Sequence, residues 1–581
     1  MRKNVEWRMY TKRADFRALG ERLGISPVMA RVLVNRGMST PEAQERYLYG
    51  GLNSIPDAKR MKGIREAVSL LQEKLKEKKP IRIISDYDVD GVTSNYILYD
   101  GLKKLGAVIS YDIPDRIRDG YGMNVRLVEE AYDDGIDTLL TCDNGVSAFE
   151  AVDRAKELGM TVIITDHHQI QDGLPAADVI VNPWQPLCEY PFKSICGAEV
   201  AYKLIRELAE AEGKPLSVTK YLDFAALGTV CDVMPLVDEN RILVREGMRV
   251  MSDPENAGLR ELLRVNDLLG SDISAYHLGF RIGPCINSEG RLSSAKEAMK
   301  LFLSEDPEEI SRLAMDMKRL NDERKNATVR GVEQAVKIIE EEHLIEKDHV
   351  LLVRVPELHE SLAGIVAGRI RERYYRPVII FTKAEDKEGF LKGSGRSVEE
   401  YNLFEALTSA ASHIEKFGGH PMAAGLTIRE EEFSALAATL NEEEELTDAD
   451  LTEKLFIDVP MPLYYVNLNL AEQLEQLEPF GTGNPKPLFA EKGLQLEDFR
   501  VFGGGRVGQL ILRDGKGQRV FAKTFDVQSL NEDIKMWSEP NEYGKIGTYP
   551  KLDIMYRVSV NEFRGERSAD CIIEHYRKCV E

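Results

Sequence analysis

The sequence predicts an α/β protein with a parallel sheet, a long helix, a smaller α/β domain and a C-terminal β-barrel. Between 81 and about 240, short apolar runs alternate with helical stretches, which is typical of a parallel sheet covered on both faces. From 306 to about 342 the chain is polar with apolar residues at helical spacing, which predicts one long helix or two between domains. After 455, strand-like runs separated by Gly, Asn and Asp indicate a small antiparallel barrel.

The composition is that of a large globular protein. The 581 residues are 43% hydrophobic and 30% charged, and we expect about three to five domains. No apolar run approaches the ~18 residues of a membrane span, and the N-terminus contains no signal-peptide core. We therefore expect a cytoplasmic protein without a membrane partner.

Charge and cysteine content narrow the functional class. The net charge of −21 argues against a broad basic surface that wraps duplex DNA, and it suits an enzyme that holds cations in an acidic site. The seven cysteines are an odd number and include no CxxC pair. This favours reduced thiols over a disulfide framework or a zinc knuckle.

The remaining elements follow from local patterns. Residues 1–80 are predicted to be helical, with a helix start at Ser39–Pro41 and an amphipathic stretch at 64–79. A second α/β unit extends from 349 to 428. The glycine-rich segment 503–508 matches a dinucleotide motif formally, but a strand follows it instead of a helix, so we interpret it as a hairpin turn.

The stretch Ile81–Gly91 is the first candidate site. Its apolar run predicts a buried strand, and Asp86, Asp88 and Asp90 follow at alternate positions. Carboxylates at the C-terminal end of a parallel strand face the crevice in which α/β sheets bind ligands. Three crowded carboxylates repel one another unless a cation lies among them.

Three further apolar runs, each predicted to be a strand, end in residues of the ligand type. These residues are Asp143, the triplet Asp166–His168, and Asp232. Carboxylates with one or two imidazoles suit Mn²⁺ or Mg²⁺. Two such ions about 3.5–4 Å apart would promote the in-line attack of water on a phosphorus atom.

Each of these candidate ligand motifs also has a simpler interpretation. The acidic stretch matches the start of an EF-hand loop, but Ile97 occupies the position of the bidentate Glu and a strand precedes the loop. Asp143 could be a turn or helix-cap residue, and paired histidines are often structural. Four such groups at the ends of runs in one sheet favour a metal site.

The motifs DYDVDG, CDNG and TDHH, together with Asp232, resemble the DHH phosphoesterase superfamily. Further motifs of one of its branches follow in order at 113–122, 281–292, 359–370, 391–397, 417–425 and 477–489. The ordered set covers almost the whole chain and is similar to the RecJ family of bacterial exonucleases that act on single-stranded DNA.

The resemblance implies a domain order and an activity. The implied domains are a helical segment with a DHH domain (1–300), a connecting helix (301–345), a DHH-associated substrate-binding domain (346–432) and an OB-like domain (433–581). The implied reaction is 5′-to-3′ hydrolysis of single-stranded DNA to 5′-mononucleotides with two Mn²⁺ or Mg²⁺ ions, in DNA repair and recombination. A monomer is implied, with single-strand-binding protein and a helicase as partners.

The resemblance also implies roles for individual residues. Asp88 would bind one ion, Asp90, His167 and Asp232 the other, and Asp143 would bridge them. Asp86 would support the first ion, and His168 would contact the scissile phosphate or an ion ligand. Substrate phosphates would be contacted by Arg116, Arg291, Ser394, Arg396 and His420. Without the resemblance, the favoured interpretation is that Arg396 forms a surface salt bridge and that His420 packs within a loop.

Two alternative functions share these motifs. A DHH phosphodiesterase for short oligonucleotides or cyclic dinucleotides, or a pyrophosphatase, would use the same metal site, usually in a two-domain chain. A binding module that has lost catalysis would lack some ligands, whereas here all the expected ligand types are present.

Overall fold

The computed structural model covers most of the chain, which forms two compact units. The described residues are 3–115, 120, 122–171, 173–214, 216–292, 295–385, 387–442, 446–540 and 546–580, with the side chains of 288–292, 546 and 563 left undescribed. The larger unit comprises 9–318 and 457–581, and the smaller unit comprises 1–8 and 319–456.

The N-terminal segment is helical except at its start. Its helices are α1 (Phe16–Leu23), α2 (Pro27–Asn35), α3 (Pro41–Tyr49) and α4 (Ile64–Glu77). The Thr40 hydroxyl accepts a hydrogen bond from the backbone N–H of Ala43, and Pro41 opens α3, which explains the predicted helix start. The helical prediction is wrong at Asn4–Met9, which forms strand β1 because polar and apolar side chains alternate there.

A five-stranded parallel sheet forms the centre of the larger unit. Its strands are β2 (Pro80–Ser85), β3 (Val108–Asp112), β4 (Thr138–Cys142), β5 (Thr161–Thr165) and β6 (Val179–Val181), in the order β3-β2-β4-β5-β6. Every neighbouring pair is parallel, as predicted. The helices that follow these strands are α5 (Val89–Leu105), α6 (Val125–Asp133), α7 (Phe149–Glu157) and α8 (Gly197–Ala211).

A helical region follows the parallel sheet. Its helices are α9 (Leu222–Cys231), α10 (Asp238–Met251), α11 (Ala257–Val265), α12 (Ala275–His277), α13 (Gly283–Leu292) and α14 (Lys296–Leu303), with a π-helical turn at Leu278–Ile282. The prediction that Asp232 ends a strand is wrong, because Asp232 caps the C-terminus of α9. Residues 222–229 are all buried, so their apolar run carries no helical periodicity.

A single long helix, α15 (Pro307–Glu341), confirms the predicted connection. Its first part contributes Leu313 and Met317 to the core of the larger unit, and its last part contributes Ala335 and Ile339 to the core of the smaller unit. Within the described part of the chain, no helix combines the length and apolar character that crossing a membrane requires.

The smaller unit contains a mixed five-stranded sheet. Its elements are α16 (Leu344–Lys347), β7 (Leu351–Arg354), α17 (Ala363–Tyr374), β8 (Val378–Lys383), β9 (Phe390–Arg396), α18 (Leu403–Ser409), β10 (Lys416–His420), β11 (Ala423–Arg429) and α19 (Phe433–Glu442). The strand order is β10-β11-β9-β8-β7, and only β7 and β8 are parallel. Strand β12 (Thr452–Ile457) pairs with β1 and lies outside the barrel that the sequence predicted for it.

The C-terminal part of the larger unit is a five-stranded barrel. Its elements are β13 (Val459–Pro460), α20 (Leu468–Glu475), β14 (Phe489–Phe502), β15 (Val507–Arg513), β16 (Arg519–Thr524), α21 (Val527–Trp537), β17 (Glu539–Pro540), β18 (Ile546–Thr548), β19 (Lys551–Phe563) and β20 (Glu566–Lys578). The ring β14-β15-β16-β20-β19 closes because β14 also pairs with β19. Gly503–Gly505 form the turn between β14 and β15, which confirms the predicted hairpin.

Candidate metal centre

The first three candidate ligands lie where β2 leads into α5. Asp86 follows the last residue of β2 directly, and Asp88 is the N-cap of α5. The Asp88 carboxylate accepts a hydrogen bond of 3.0 Å from the backbone N–H of Gly91. Asp90 lies in the first helical turn. The strand, the cap and the helix therefore fix all three carboxylates at one edge of the sheet.

The start of α8 holds Asp90. Its carboxylate accepts hydrogen bonds from the backbone N–H groups of Gly197 at 2.6 Å and Ala198 at 2.9 Å. On α9, a Cβ atom added at Gly228 would lie 2.5 Å from the Asp90 carboxylate. Both glycines permit this close approach, and sequence reasoning missed both of them.

Asp143 follows β4 in a strained conformation. Its φ of 60° lies in the left-handed region, which is uncommon for residues other than glycine. Asn144 stabilises the turn, because its side-chain amide donates to the carbonyl groups of Ile84 at 3.1 Å and Cys142 at 2.9 Å. The turn at Asp143 and Asn144 thus joins the ends of β2 and β4.

His167 lies among three carboxylates from separate parts of the chain. Its Nε2 atom is 3.0 Å from an oxygen of Asp143, 3.5 Å from Asp232 and 3.6 Å from Asp90. The histidine itself is only 7% exposed. The structure therefore brings together residues that span more than 140 positions in sequence.

The ligand-type atoms form three overlapping groups, in each of which the atoms lie within 4.8 Å of one another. The groups are Asp86–Asp88–Asp143, Asp90–His167–Asp232 and Asp143–His167–His168. All six residues predicted to bind metal are thus present. The Oδ2 atom of Asp232 is buried and accepts no hydrogen bond from any described residue.

Electrostatics in the site favour a bound cation. Burial, together with the nearby charges of Asp90 and Asp88, raises the pKa of Asp143 well above its usual range and that of Asp232 to about 8. Burial and Asp90 also raise the pKa of Asp88. A divalent cation would remove this penalty, and oxygen-rich groups with an imidazole suit Mn²⁺ or Mg²⁺. The residues therefore fit the predicted ions.

The two histidines of the triplet differ in charge, because burial determines the charge of His167 and a contact with Asp166 determines that of His168. Burial lowers the pKa of His167 although Asp90 opposes this, so its imidazole is neutral at pH 7. Burial also opposes the charged form of His168, but a 2.8 Å contact of its Nδ1 with Asp166 outweighs burial and raises the pKa to about 9. Asp166 also accepts hydrogen bonds from the backbone N–H groups of both histidines. It positions the histidines and belongs to none of the ligand groups.

The predicted phosphate contacts of the smaller unit lie on its mixed sheet. Arg396 on β9 is opposite Ala423 on β11, which is opposite His420 on β10, and Ser394 lies two residues before Arg396 on the same face. At the start of α17, a Cβ atom added at Gly364 would lie 2.8 Å from the Ser394 hydroxyl and 2.9 Å from the Arg396 guanidinium. We refer to Ser394, Arg396 and His420 as the phosphate-contact cluster.

Arg371 is a second cation beside this cluster, and sequence reasoning missed it. Burial and the charge of Arg371 lower the pKa of Arg396. Among the described residues, no acidic side chain forms a salt bridge with Arg396, so the structure does not support the interpretation as a surface ion pair. The sequence does contain a signal for Arg371. It follows Gly364 by two turns of α17, so the two residues share one face of that helix.

Two predicted contacts cannot be placed in the same way. Arg116 lies outside the described residues. Arg291 lies in α13, but its side chain is outside the description. His420 is exposed, and its Nδ1 accepts a 3.3 Å hydrogen bond from the backbone N–H of Met422.

Comparison with known proteins decides the family. Three family models match the chain: DHH family, N-terminal domain, at 80–229, DHHA1 domain at 347–445 and RecJ OB domain at 457–575. The single-stranded-DNA-specific exonuclease RecJ of Haemophilus influenzae is 33% identical, over 96% of this chain and 97% of that protein. The chain belongs to the RecJ family.

Other RecJ proteins are also similar to this chain over most of their length. RecJ of Bacillus subtilis is 33% identical, over 96% of this chain and 69% of that protein. The crystal structure of RecJ from Thermus thermophilus in complex with Mn²⁺ superposes with a TM-score of 0.80 at 30% identity and covers 100% of this chain and 81% of that chain. The RecJ resemblance and the predicted fold class, with DHH, DHHA1 and OB domains, are confirmed.

Proposed function

We propose that this protein is a metal-dependent exonuclease that hydrolyses single-stranded DNA. The observation that carries the proposal is the position of His167, whose Nε2 lies within 3.6 Å of Asp90, Asp143 and Asp232. Support also comes from relatives that are named single-stranded-DNA-specific exonucleases and that match the chain along nearly its whole length.

Two divalent ions occupy the site in this proposal. Asp86, Asp88 and Asp143 would hold one of them, and Asp90, His167 and Asp232 would hold the other together with Asp143. The overlap of the groups at Asp143 supports this sharing. Mn²⁺ and Mg²⁺ are both candidates, because structures of RecJ from Thermus thermophilus are complexes with either ion. When bound, such ions neutralise charge on the phosphate and lower the pKa of an attacking water.

The protein groups orient the reaction. The α8 amides hold Asp90, and the turn at Asn144 holds Asp143, so both carboxylates are in place before substrate binds. His168 is 45% exposed and carries a positive charge at neutral pH. Because its Nδ1 faces Asp166, its Nε2–H is the ring donor that can reach an oxygen of the scissile phosphate.

The smaller unit binds substrate phosphates in this proposal. Ser394, Arg396 and His420 present a hydroxyl, a guanidinium and an imidazole on one sheet, and the N-terminus of α17 adds backbone N–H groups. Arg116 and Arg291 are further proposed phosphate contacts. The barrel holds the strand by base stacking and with basic groups.

The finer features of the proposal rest on family resemblance. They are 5′-to-3′ polarity, release of 5′-mononucleotides, a monomeric state, a cytoplasmic role in DNA repair and recombination, and cooperation with single-strand-binding protein and a helicase. The proposed domain boundaries remain those predicted from the sequence, at 300, 345 and 432.

End-blocked substrates test the activity and its polarity. A labelled single strand, blocked at its 5′ or its 3′ end, is incubated with Mn²⁺ and then with a chelator, beside the matching duplex. We expect mononucleotides only when the 5′ end is free, no cleavage of a blunt duplex and complete loss of activity on chelation. Digestion from the 3′ end would contradict the polarity. A preference for dinucleotides over long strands would instead identify a short-oligonucleotide phosphodiesterase.

A further inference from the structure

A large pocket in the larger unit opens beside Asp232. Its volume is about 800 Å³, and its lining includes Cys231 and Val233, the residues that flank Asp232 in sequence. A pocket of this size accommodates a small organic ligand. The segment that lines the pocket therefore contains Asp232 between two lining residues, although Asp232 itself is not part of the lining.

Two stacked aromatic residues form part of the lining. Tyr276 on α12 is 62% exposed, and Phe280 in the π-helical turn is 56% exposed. Their ring centroids are 5.1 Å apart and the ring planes differ by 21°. Contiguous exposed apolar surface often marks a ligand-binding groove, and π-helical turns frequently occur at functional sites.

The barrel side of the pocket supplies cations and a third aromatic ring. Phe480, Lys486 and Arg557 line the pocket there, and Arg557 also forms an ion pair of 3.2 Å with Glu574. Glu478 also lines it, and burial raises the pKa of its carboxyl although Lys486 opposes this. Aromatic rings beside cations are the groups with which proteins hold single-stranded nucleic acid, the rings against the bases and the cations against the phosphates.

The two walls of the pocket are joined directly. The backbone N–H of Leu236 donates to the carbonyl of Thr482 at 2.7 Å. A Cβ atom added at Gly481 would lie 2.7 Å from the Leu236 side chain. The pocket is therefore formed before any ligand binds, which reduces the entropic cost of binding.

We propose that Tyr276 and Phe280 form a stacking platform for a base of the DNA strand whose backbone passes Asp232. Lys486 and Arg557 bind the neighbouring phosphates. The proposal rests on the function proposed above, because it takes single-stranded DNA as the occupant. That choice follows from the aromatic and cationic lining, which suits a strand whose bases are unpaired, and from the position of Asp232 between the lining residues Cys231 and Val233. Stacking does not distinguish the four bases, so the platform contributes affinity and little sequence preference.

Substitution of both aromatic residues tests the platform. Affinity for a 20-nucleotide single strand is measured by fluorescence anisotropy in the presence of a chelator that removes divalent ions, so that no cleavage occurs. For the double variant Tyr276→Ala, Phe280→Ala we expect the Kd to rise at least about five-fold, since base–aromatic stacking contributes about 1–3 kcal/mol per base. Tyr132→Ala is the control, because Tyr132 is also about half exposed but does not line the pocket. A conservative double variant, Tyr276→Phe with Phe280→Tyr, should bind like the wild type.

A scan with abasic nucleotides distinguishes stacking from a structural effect. One position of the strand at a time carries no base. We expect one or two positions where the missing base weakens binding of the wild type, and the alanine variant should show no further loss there. The platform is excluded if the wild type is insensitive to every abasic position, or if the variant binds like the wild type. If the wild type degrades single-stranded DNA, a negative binding result excludes the platform but not the proposed function. If the wild type does not degrade single-stranded DNA, the proposed function itself is contradicted.

Discussion

The carboxylate of Asp90 accepts a 2.6 Å hydrogen bond from the backbone N–H of Gly197, a residue more than one hundred positions further along the chain. Gly197 also lies against Asp143, because a Cβ atom added to it would lie 2.7 Å from the Asp143 Cβ and 3.0 Å from the Asp90 Oδ2. One glycine at the start of α8 thus contacts two proposed ion ligands. The helix amides are favourably placed for a carboxylate, since the N-terminus of a helix carries partial positive charge.

Substitution of this glycine should therefore weaken metal binding while the fold persists. In Gly197→Ala the new methyl group displaces Asp90 or Asp143, and we expect the Mn²⁺ affinity to fall by about ten-fold or more, as for other residues that orient metal ligands. Isothermal titration of Mn²⁺ into the full chain measures this. Gly368→Ala is the matched control, because a Cβ atom there would meet no neighbour within 4 Å. Equal Mn²⁺ affinities of the two variants would exclude this role for Gly197.

Removal of individual ligands should abolish hydrolysis. We expect Asp90→Ala, Asp143→Ala and His167→Ala each to lower kcat by about one hundred-fold or more, because each residue belongs to a cluster of ligand-type atoms. Single-turnover digestion of a labelled strand gives the rate, and circular dichroism checks the fold. Asp153→Ala provides an exposed acidic control on α7. Wild-type rates in the three ligand variants would show that the two-ion assignment is wrong.

The parts of this site that could be predicted from sequence are those with a local pattern. Asp86, Asp143 and His167 each follow a short apolar run, and parallel strands bring such positions to one edge of a sheet. Asp232 lies among these ligand-type atoms, but its element was predicted wrongly, because α9 is buried on all sides and a buried helix segment has no periodicity that separates it from a strand.

Other features depend on how distant helices pack, and no local pattern encodes them. The contact of Gly197 with Asp90 and the approach of Arg371 to Arg396 join segments that are far apart in sequence. The exposed pair at Tyr276 and Phe280 has helical spacing, which in a sequence is more typical of a core face. Strand β1 was missed because its alternation extends over only six residues.

Loss of Arg396 should affect the recognition of a terminal phosphate more than the chemical step. The guanidinium has no acidic partner among the described residues, so it is available to a phosphate. For Arg396→Ala we expect the KM of a 5′-phosphorylated strand to rise about ten-fold or more, since hydrogen bonds between charged groups contribute about 1.5–3 kcal/mol. The KM of a 5′-hydroxyl strand should change little. Arg369→Ala removes an exposed arginine from α17 of the same unit and is the control. Equal loss on both substrates would contradict this role.

Asp223 should make stability depend on pH independently of the metal centre. Its side chain is buried, its Oδ1 accepts a 2.8 Å hydrogen bond from the backbone N–H of Phe224, and its Oδ2 accepts none from any described residue. Burial raises the pKa to about 8, although the backbone hydrogen bonds oppose this. A carboxyl group whose pKa is raised in the folded state favours folding fully below its usual pKa of about 4. This contribution is lost as the pH rises toward 8.

The substitution Asp223→Asn should therefore stabilise the protein at pH 8 and have little effect at pH 4. We expect a gain of roughly 1–3 kcal/mol at the higher pH, because the amide needs no proton to remain neutral in the buried site. The midpoint of the first urea transition, measured at both pH values in the presence of a chelator, gives the difference. Asp153→Asn is the control, since that exposed carboxyl should leave both midpoints unchanged. If the urea midpoint of Asp223→Asn at pH 8 is lower than that of the wild type, the ionised carboxylate stabilises the fold. That result would contradict the destabilisation expected from its burial.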